Sequence, residues 1–471
     1  MPRSLCVHPD HRAVVALSLE RNGFLTQGDL AGHLEVALST VNNFCRGVKV
    51  SVAKFEEICE ALGLDPRIMI QPQEISVDAA ESAQEANFER FFAYDPLWVG
   101  RESLTLELTT KLQETCRLLM ITGIAGVGKT ALAERLSVNL QETARQLLRV
   151  NFDNQEKSTD FTSVAASLLE TCGEVVTPDD RTDPKLLTRR LLQHVQATPY
   201  LIVIDSLEQI LQGNEQDGWS EFKDDGFVAF FKTVLASDTF QSRFILTSQE
   251  LPTQIAAIGS RYQNFWHCEP LSGLSEPEQQ ALFLKTGFAP EASPELLRIG
   301  KAYEGHPLAL RIILGEIGSR PFYGNIAAYW QRYGHEIEAV EQAIAAAAEG
   351  ETTGADDKWQ LDRFTRTLRR NVQQRLEQTF SRLRQDAKYA YILLCEASVY
   401  RCPVPDDWWL SHLEDWQRSE SEQVAALEIL CDRYLVEEMT EGTQLMLKQH
   451  NLIRSVSLAH LKQLTFELSE S

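Results

Sequence analysis

Residues 117–140 read RLLMITGIAGVGKTALAERLSVNL and decide the fold. The apolar run at 117–122 is typical of a strand buried on both sheet faces, and the stretch after Thr130 is typical of a helix. Between them, Gly123-Ile-Ala-Gly-Val-Gly-Lys-Thr130 matches the pattern G-x-x-x-x-G-K-[S/T]. A glycine-rich turn that leads into a helix N-terminus directs backbone N–H groups at phosphate oxygens. The motif therefore predicts a phosphate-binding loop.

The loop predicts the contacts of a bound nucleoside phosphate. Lys129 is placed to reach the β- and γ-phosphates, and the Thr130 hydroxyl can ligate Mg²⁺. A second acidic group is needed for the metal, and Asp205 supplies it at the end of the apolar run 200–205. Glu208 either polarises an attacking water or caps the following helix. The predicted loop contacts are Gly123, Gly126, Val127, Gly128, Lys129, Thr130 and Ala131.

Composition narrows the class of protein. The 471 residues include 67 acidic and 45 basic ones, which gives a net charge of −22 and argues against general nucleic-acid binding. The chain has neither an apolar run of membrane-spanning length nor a secretory signal, so we expect a cytoplasmic protein without membrane association. The nine cysteines form no C-x-x-C pair, which favours neither a disulfide framework nor a zinc site.

Strand-like and helical segments alternate through the middle of the chain. Apolar runs at 117–122, 147–152, 200–205 and 243–248 are separated by amphipathic stretches, which predicts a parallel sheet with helices on both faces. The sequence after Leu271 becomes helical for about eighty residues. Polar, acidic stretches at 71–87 and 349–358 are typical of linkers.

Five further segments occur with the loop in a characteristic order. They are Trp98-Val-Gly-Arg-Glu102, Asp205-Ser-Leu-Glu208, Phe244-Ile-Leu-Thr-Ser-Gln249, Gly305-His-Pro-Leu-Ala-Leu310 and Lys448-Gln-His-Asn-Leu-Ile-Arg454. Together they resemble the motifs of STAND-class signalling ATPases, the group that includes NB-ARC and NACHT proteins. The resemblance spans residues 96–454.

The resemblance implies roles for individual residues. Val99 and Arg101 would lie beside the adenine, and Pro307 would touch the base or ribose. His450 would read the ADP phosphate, or else is a plain buried histidine. Gln249 stands where the family carries an arginine that contacts the γ-phosphate, so ATP sensing or hydrolysis is expected to be weaker. Lys129, Asp205 and Glu208 would carry a slow ATPase reaction, with Mg²⁺ on Thr130 and Asp205.

The C-terminal region predicts two features. Residues 359–384 combine an apolar stripe with seven arginines, which form either a solvated face or a contact surface for an acidic protomer. Residues 435–447 read as strand, turn and strand between helices, which suggests a winged helix. In the STAND family that domain is a lid that clamps ADP.

The N-terminal region resembles a Cro/repressor-type helix-turn-helix. Residues 1–72 carry seven basic and eight acidic side chains. Thr26 and Ser39 are predicted N-caps, and the predicted small core is Leu30, Ala31, Val41 and Phe44. The predicted second helix would project Thr40, Asn42, Asn43 and Arg46 toward DNA bases, phosphates or a protein. DNA binding through 26–49 and protein docking both remain open.

The sequence thus predicts an α/β P-loop NTPase core with helical and winged-helix lid domains, and an all-α helix-turn-helix domain at the N-terminus. The expected domains are helix-turn-helix 1–72, linker 73–95, nucleotide-binding 96–272, helical 273–350 and winged-helix 359–471. The resemblance implies an ADP/ATP-operated switch that forms an ATP-dependent homo-oligomer. A protein partner would supply its signal or receive its output. The alternative is an ATP-modulated, DNA-binding transcriptional regulator.

Overall fold

The computed structural model places the chain in two compact units. One contains Gly100–Gly273 and Ile344–Arg370, and the other contains Met1–Val99, Leu274–Ala343 and Asn371–Ser471. The residues that the structure describes are 4–8, 11, 15, 18–19, 22, 24, 27–34, 36–45, 47, 50–64, 66–70, 98–153, 160–214, 219–289, 293–349, 363–414, 416–441 and 444–469. The linker predicted at 73–95 lies outside them, as do Thr26 and Arg46.

The N-terminal segment consists of short helices and one strand pair. Its elements are β1 (Ser4–Leu5), α1 (Gln27–His33), α2 (Leu38–Cys45), β2 (Val50–Ser51), α3 (Val52–Ala61) and α4 (Pro66–Met69). The predicted core residues Leu30, Ala31, Val41 and Phe44 are all buried. Antiparallel pairing of β1 with β2 means that the segment is not wholly α-helical as predicted, because Leu5 pairs with Val50.

The unit that contains the phosphate loop is built on a parallel sheet. Its elements are α5 (Glu102–Gln113), β3 (Leu118–Thr122), α6 (Lys129–Asn139), β4 (Gln146–Asn151), α7 (Phe161–Thr171), α8 (Pro184–Ala197), β5 (Tyr200–Asp205), β6 (Leu211–Asn214), β7 (Trp219–Phe222), α9 (Asp225–Ala236), β8 (Arg243–Ser248), α10 (Thr253–Gly259) and β9 (Trp266–Pro270). Five strands pair in parallel in the order β4-β5-β8-β3-β9. The four predicted runs are β3, β4, β5 and β8.

Two features of this unit were not predicted. Strand β9 lies at the sheet edge and is mostly half-buried, so it lacks the continuous apolar run of the central strands. Strands β6 and β7 form a separate antiparallel pair.

The core that holds the sheet is rich in buried aromatic rings, which each remove a large apolar area from water. They include Phe152, Phe161, Phe222, Phe227, Phe230, Phe231 and Phe244.

The remaining elements follow residue 275. They are α11 (Glu276–Lys285), α12 (Pro294–Ala302), α13 (Pro307–Gly318), α14 (Ile326–Glu349), α15 (Arg363–Asp386), α16 (Lys388–Glu396), β10 (Val404–Pro405), α17 (Asp406–Ser411), α18 (Glu420–Asp432), β11 (Glu437–Glu441), β12 (Gln444–Lys448) and α19 (Asn451–Ser469). The predicted helical run after Leu271 is confirmed as α11–α14. The predicted strand-turn-strand appears as β11 and β12, with β10 paired on the free side of β12. Assignment of this region as a winged helix stays a prediction.

Helix α15 corrects the expectation for the arginine-rich stretch. Its apolar positions Leu368, Val372, Leu376 and Phe380 are buried, as their spacing predicted. However, Arg375 and Arg382 are also buried, so they are not part of a solvated face or of a surface for another protomer. They pair with carboxylates inside their own unit.

Glu316 is the centre of this buried charge cluster. It accepts hydrogen bonds from Arg375, from Arg382 Nη1 at 2.6 Å and from Thr379 Oγ1 at 2.6 Å. Arg375 also contacts Glu336 at 3.2 Å. Burial alone would raise the pKa of Glu316, but the two guanidinium groups and the Thr379 hydroxyl hold it below its usual value. Buried charges are tolerated when they are paired and hydrogen-bonded in this way.

Among the residues described by the structure, no helix has both the length and the apolar character required to cross a membrane.

Candidate functional site

The phosphate loop connects the end of β3 to the start of α6. Gly123 has φ 150° and Gly128 has φ 101°, backbone angles that residues other than glycine rarely adopt. A Cβ atom at Gly123 would lie 2.8 Å from the Leu271 backbone oxygen, and one at Gly128 would lie 3.0 Å from Arg101 Nη1. Both glycines are therefore required by the loop conformation and by close neighbours. The strand–loop–helix context predicted from the sequence is present.

Lys129 is buried at the beginning of α6. Its Nζ donates hydrogen bonds to the backbone oxygens of Gly123, at 2.8 Å, and Ile124, at 3.1 Å. Burial lowers the pKa of Lys129, while the carboxylates of Glu208 and Asp205 oppose this effect. The amine is thus held inside the loop that would surround a phosphate group.

Arg101 fastens the loop to the segment that follows β9. Its Nη2 donates to the backbone oxygens of Val127, at 2.8 Å, and Ser272, at 3.0 Å. The residue adopts a left-handed conformation with φ 62° just before α5. This geometry assigns the guanidinium a structural contact with the loop backbone. A contact of Arg101 with the nucleotide stays a prediction.

Thr130, in the first turn of α6, lies beside Asp205 at the carboxyl end of β5. The Thr130 hydroxyl is 3.0 Å from Asp205 Oδ1 and 3.1 Å from Oδ2. A hydroxyl and a carboxylate are the hard oxygen ligands that Mg²⁺ prefers. Asp205 is only 7% exposed, so its two oxygens face the protein and the loop rather than bulk water. These residues fit a magnesium ion held beside the loop.

Two residues outside the predicted site, Thr247 and Asp153, lie close to Asp205. Thr247, in β8, donates a hydrogen bond to Asp205 Oδ1 and accepts one from the Ser206 backbone N–H at 3.1 Å. Asp153, just after β4, accepts a hydrogen bond from the Ser206 hydroxyl. A signal for both existed in the sequence, because each polar side chain lies at the end of a predicted apolar run. Their proximity to Asp205 depends on the strand order.

Glu208 belongs to a chain of three side chains. It lies in the short 3-10 helix Leu207–Ile210 and accepts from Gln249 through both the backbone N–H, at 3.2 Å, and Nε2, at 2.9 Å. Gln249 Oε1 in turn accepts from Arg369 Nη2 at 2.8 Å. Gln249, the residue at the predicted sensor position, therefore orients the Glu208 carboxylate.

Val99, Pro307 and His450 belong to the other unit. Pro307 is the first residue of α13, and the buried His306 side chain accepts from the Ala309 backbone N–H at 3.2 Å. His450 Nδ1 accepts from the Leu452 backbone N–H at 3.2 Å, at the start of α19. Both histidines thus cap helices. Nucleotide contacts of Val99, Pro307 and His450 stay predictions.

Two polar side chains of the N-terminal helix α2, Thr40 and Asn42, make hydrogen bonds to other parts of the unit that contains Pro307 and His450. Thr40 Oγ1 donates to Asp432 Oδ1 at 2.9 Å, and Asn42 Nδ2 donates to the Lys285 backbone oxygen at 3.0 Å. Asn42 is 4% exposed. The sequence predicts that these side chains project from the helix toward DNA or a protein, whereas in the structure both make hydrogen bonds within the chain.

Known proteins similar to this chain support the assignment of the loop-containing region. A family model described as Novel STAND NTPase 6 matches residues 98–250. An uncharacterised WD repeat-containing protein of Nostoc sp. is 32% identical over 144 residues, which cover 30% of this chain and 11% of that protein. The chain thus spans a small part of the length of this curated relative. Residues 98–250 are a STAND-like P-loop NTPase segment, as the motifs predicted.

Several solved structures align with most of the chain at low similarity. Cdc6p from Pyrobaculum aerophilum is 13% identical, with 84% of this chain and 97% of that chain covered and a TM-score of 0.30. The Aeropyrum pernix Orc1 protein in complex with DNA is 12% identical, with coverage of 79% and 96% and a TM-score of 0.31. The replication initiator DnaA bound to AMPPCP and single-stranded DNA is 11% identical, with coverage of 73% and 92% and a TM-score of 0.34. These scores are low, so the function proposed below depends on the residues of this chain.

Proposed function

We propose that the chain is a STAND-type nucleotide switch that binds ATP and ADP with Mg²⁺ and hydrolyses ATP slowly. The observation that carries this proposal is the contact between Thr130, in the first turn of α6 beside the buried Lys129, and Asp205 at the end of β5. A phosphate loop, a metal-binding hydroxyl and a strand-terminal carboxylate are the parts that P-loop NTPases require. The family match over residues 98–250 supports the same conclusion.

Each residue of the site has a distinct role in the proposed reaction. The loop N–H groups and Lys129 bind and orient the phosphates. Thr130 and Asp205 would hold Mg²⁺, which when bound neutralises phosphate charge. Glu208 is positioned by Gln249 to accept a proton from an attacking water. Thr247 fixes the orientation of Asp205. The neutral Gln249 lacks the charge of a sensor arginine, which favours slow hydrolysis.

The switch follows from unequal binding of nucleotides to two conformations. ATP changes the conformation only if it binds the open form better than the closed form. In our proposal the domains are those expected from the sequence, the region 359–471 is a winged-helix lid whose His450 reads ADP, and the open form assembles into a homo-oligomer. A protein partner would supply the signal or receive the output.

The proposal is tested by nucleotide binding and assembly. Isothermal titration calorimetry should show Mg²⁺-dependent binding of ADP and ATP to the wild-type chain and none to Lys129→Ala. Mass photometry should show larger assemblies with ATP than with ADP. Phosphate release should exceed that of Lys129→Ala. Equal binding by the two proteins contradicts the nucleotide site, and identical mass distributions with both nucleotides contradict the switch.

For the N-terminal segment we favour docking over DNA reading. Thr40 and Asn42 already make contacts inside the chain, so α2 is held by protein groups in this conformation. The alternative, an ATP-modulated transcriptional regulator acting through residues 26–49, requires those contacts to break. Binding to genomic DNA fragments at several salt concentrations, with Arg46→Ala as the matched variant, decides between them. Salt-sensitive binding that Arg46→Ala weakens would establish the alternative.

A further inference from the structure

Arg433 is a buried arginine without a partner for its charge. It follows α18 and is 5% exposed. Its Nε is buried, and no hydrogen bond or ion pair joins its guanidinium to any residue that the structure describes. A guanidinium is always charged in a protein, and a buried charge is costly unless it is paired. Arg375 and Arg382, in the same unit, are buried with carboxylate partners, so Arg433 differs from both.

Arg311 lies at the same junction, where α13 meets the end of α18. Gly315, one turn after Arg311 in α13, is so close that a Cβ atom there would lie 2.7 Å from Arg433 Cα. Residues four apart share a helix face, so Arg311 is on the face of α13 that meets Arg433. Its guanidinium carbon lies 5.2 Å from the centre of the Tyr434 ring. The Arg311 Nε is also buried without a hydrogen-bond partner, and no carboxylate in the described part of the chain forms an ion pair with this arginine.

Two carboxylates lie within electrostatic reach of these arginines, but neither pairs with them. Glu316 is within reach of Arg433, yet its oxygens already accept from the two paired arginines of α15 and from a threonine. Glu437 is within reach of Arg311 but forms no ion pair with it, and burial raises the pKa of Glu437, which disfavours its charged form. Lys448, opposite Glu437 in the β11–β12 pair, adds a further positive charge. Neither carboxylate therefore offsets the charges of the two arginines.

We propose that Arg311 and Arg433 form a binding site for a phosphate-type oxyanion, in the unit that does not contain the phosphate loop. The site goes beyond the proposed nucleotide switch and does not depend on it. A planar guanidinium can donate two parallel N–H bonds to a phosphate, and a tetrahedral anion has enough acceptor oxygens for both arginines. A small anion fits better than an acidic protein surface, because Arg433 is almost inaccessible whereas Arg311 is half-buried. An anion held there joins α13 to the segment that follows α18.

Thermal stability in inorganic phosphate tests the site on the full chain. The parent protein carries Lys129→Ala, which disables the phosphate loop as a second place for the anion. Its thermal midpoint should rise with added phosphate and not with sodium chloride of equal ionic strength, because a ligand of the folded state stabilises it. Arg433→Met keeps an apolar side chain without the charge. It should raise the phosphate concentration that gives half of this effect by at least about tenfold, and Arg311→Met should act in the same direction. Arg418→Met is the control, since Arg418 is already paired with Glu422.

Stability without phosphate is a second readout, which a merely structural arginine would not give. Arg433→Met removes an unpaired buried charge, so without phosphate the variant should be at least as stable as its parent. If Arg433→Met does not fold, Arg311→Met decides alone.

The site is overturned by a phosphate effect that is absent from the parent, equalled by sodium chloride, or unchanged in the arginine variants. ADP is compared with free phosphate on the same parent, since a phosphate group can be free or part of a nucleotide. A lower half-effect concentration with ADP supports the site and assigns the anion to a nucleotide. Failure of the wild type to bind ADP and ATP at the loop contradicts the switch alone, because every measurement of this site is made without a functional loop.

Discussion

The hydroxyl of Thr40 donates a hydrogen bond to Asp432 Oδ1 across 2.9 Å and joins helix α2 to the last residue of helix α18. Asn42, on the same helix, adds a bond to the Lys285 backbone oxygen at the end of α11. Leu38 approaches within 3.4 Å of the position that a Cβ atom would occupy at Gly287. Helix α2 is thus held by two distant parts of the chain. Any external partner of its polar side chains has to compete with these contacts.

We expect Asn42→Ala to loosen α2 without unfolding the rest of the chain. The substitution leaves the Lys285 backbone oxygen without a buried donor, at a cost of about 1–2 kcal/mol. Hydrogen exchange within residues 38–45 should accelerate roughly tenfold, since local opening sets the exchange rate. Asn43→Ala, at the next position of the helix, is the control and should exchange more nearly as the wild type does. Equal protection in both variants would show that the Asn42 bond does not hold the helix.

Thr247→Val should weaken the magnesium dependence of nucleotide binding. The valine removes the hydroxyl that donates to Asp205 and leaves the Ser206 backbone N–H without its acceptor. Groups that orient metal ligands typically affect metal affinity 10–100-fold, so we expect roughly a tenfold loss of nucleotide affinity in Mg²⁺. In EDTA the loss should be small, because Thr247 acts through Asp205. Thr233→Val, at an exposed position of α9, is the control. A loss of the same size with and without Mg²⁺ would argue against this role.

The phosphate loop was predictable because all its determinants are local. Strand, glycines and helix lie within 24 residues, and the spacing of Lys129 and Thr130 is fixed by the chain itself. Asp153 and Thr247 were missed for the opposite reason. Thr247 bonds Asp205, and Asp153 bonds the adjacent Ser206, only because the sheet is ordered β4-β5-β8-β3-β9, so that strands remote in sequence become neighbours. Local periodicity predicts the strands but not their order in the sheet.

The arginines of α15 show the same limit in the helical unit. Periodicity correctly placed Leu376 and Phe380 on the buried face. It did not show that Arg375 and Arg382 would be buried, because their partner Glu316 is 59 and 66 residues away in the chain. A charged residue is buried only when a compensating charge is present. The side chain of Arg369 was likewise assigned to an arginine surface because Gln249 lies 120 residues away.

Glu316→Gln should destabilise the helical unit strongly. The amide has nearly the shape of the carboxylate but leaves the fully buried Arg375 with less negative charge, and breaking a buried pair typically costs about 3–5 kcal/mol. Because the folded pKa of Glu316 is depressed, its contribution is present above the unfolded pKa and is lost as the pH falls through the folded value. The difference in unfolding free energy between wild type and variant should therefore shrink in acid.

The control for Glu316 is a carboxylate paired at the surface. Glu341 contacts Arg298 at 2.7 Å, but both side chains are substantially exposed. Glu341→Gln should change the unfolding free energy by less than about 1 kcal/mol. Urea denaturation followed by circular dichroism at pH 7 and pH 4 measures both variants. A loss for Glu316→Gln no larger than that for Glu341→Gln would show that the cluster does not stabilise the fold.

Glu438 should make the β11–β12 region less stable as the pH rises. Burial, and then the charge of Asp432, raises the pKa of Glu438 from 4.5 to about 7, while Cys431 opposes the shift through a hydrogen bond. A raised folded pKa means that the stabilising contribution is complete below the unfolded pKa and is lost as the pH rises through about 7. Glu438→Gln imitates the protonated side chain and should therefore increase the unfolding free energy at pH 8 by about 1–3 kcal/mol.

The unfolding free energies of wild type and Glu438→Gln should converge toward pH 4.5. Glu414→Gln, at an exposed position, should show no such trend. Urea midpoints measured between pH 5 and pH 8 provide the comparison, and a constant difference across that range would show that Glu438 does not titrate there.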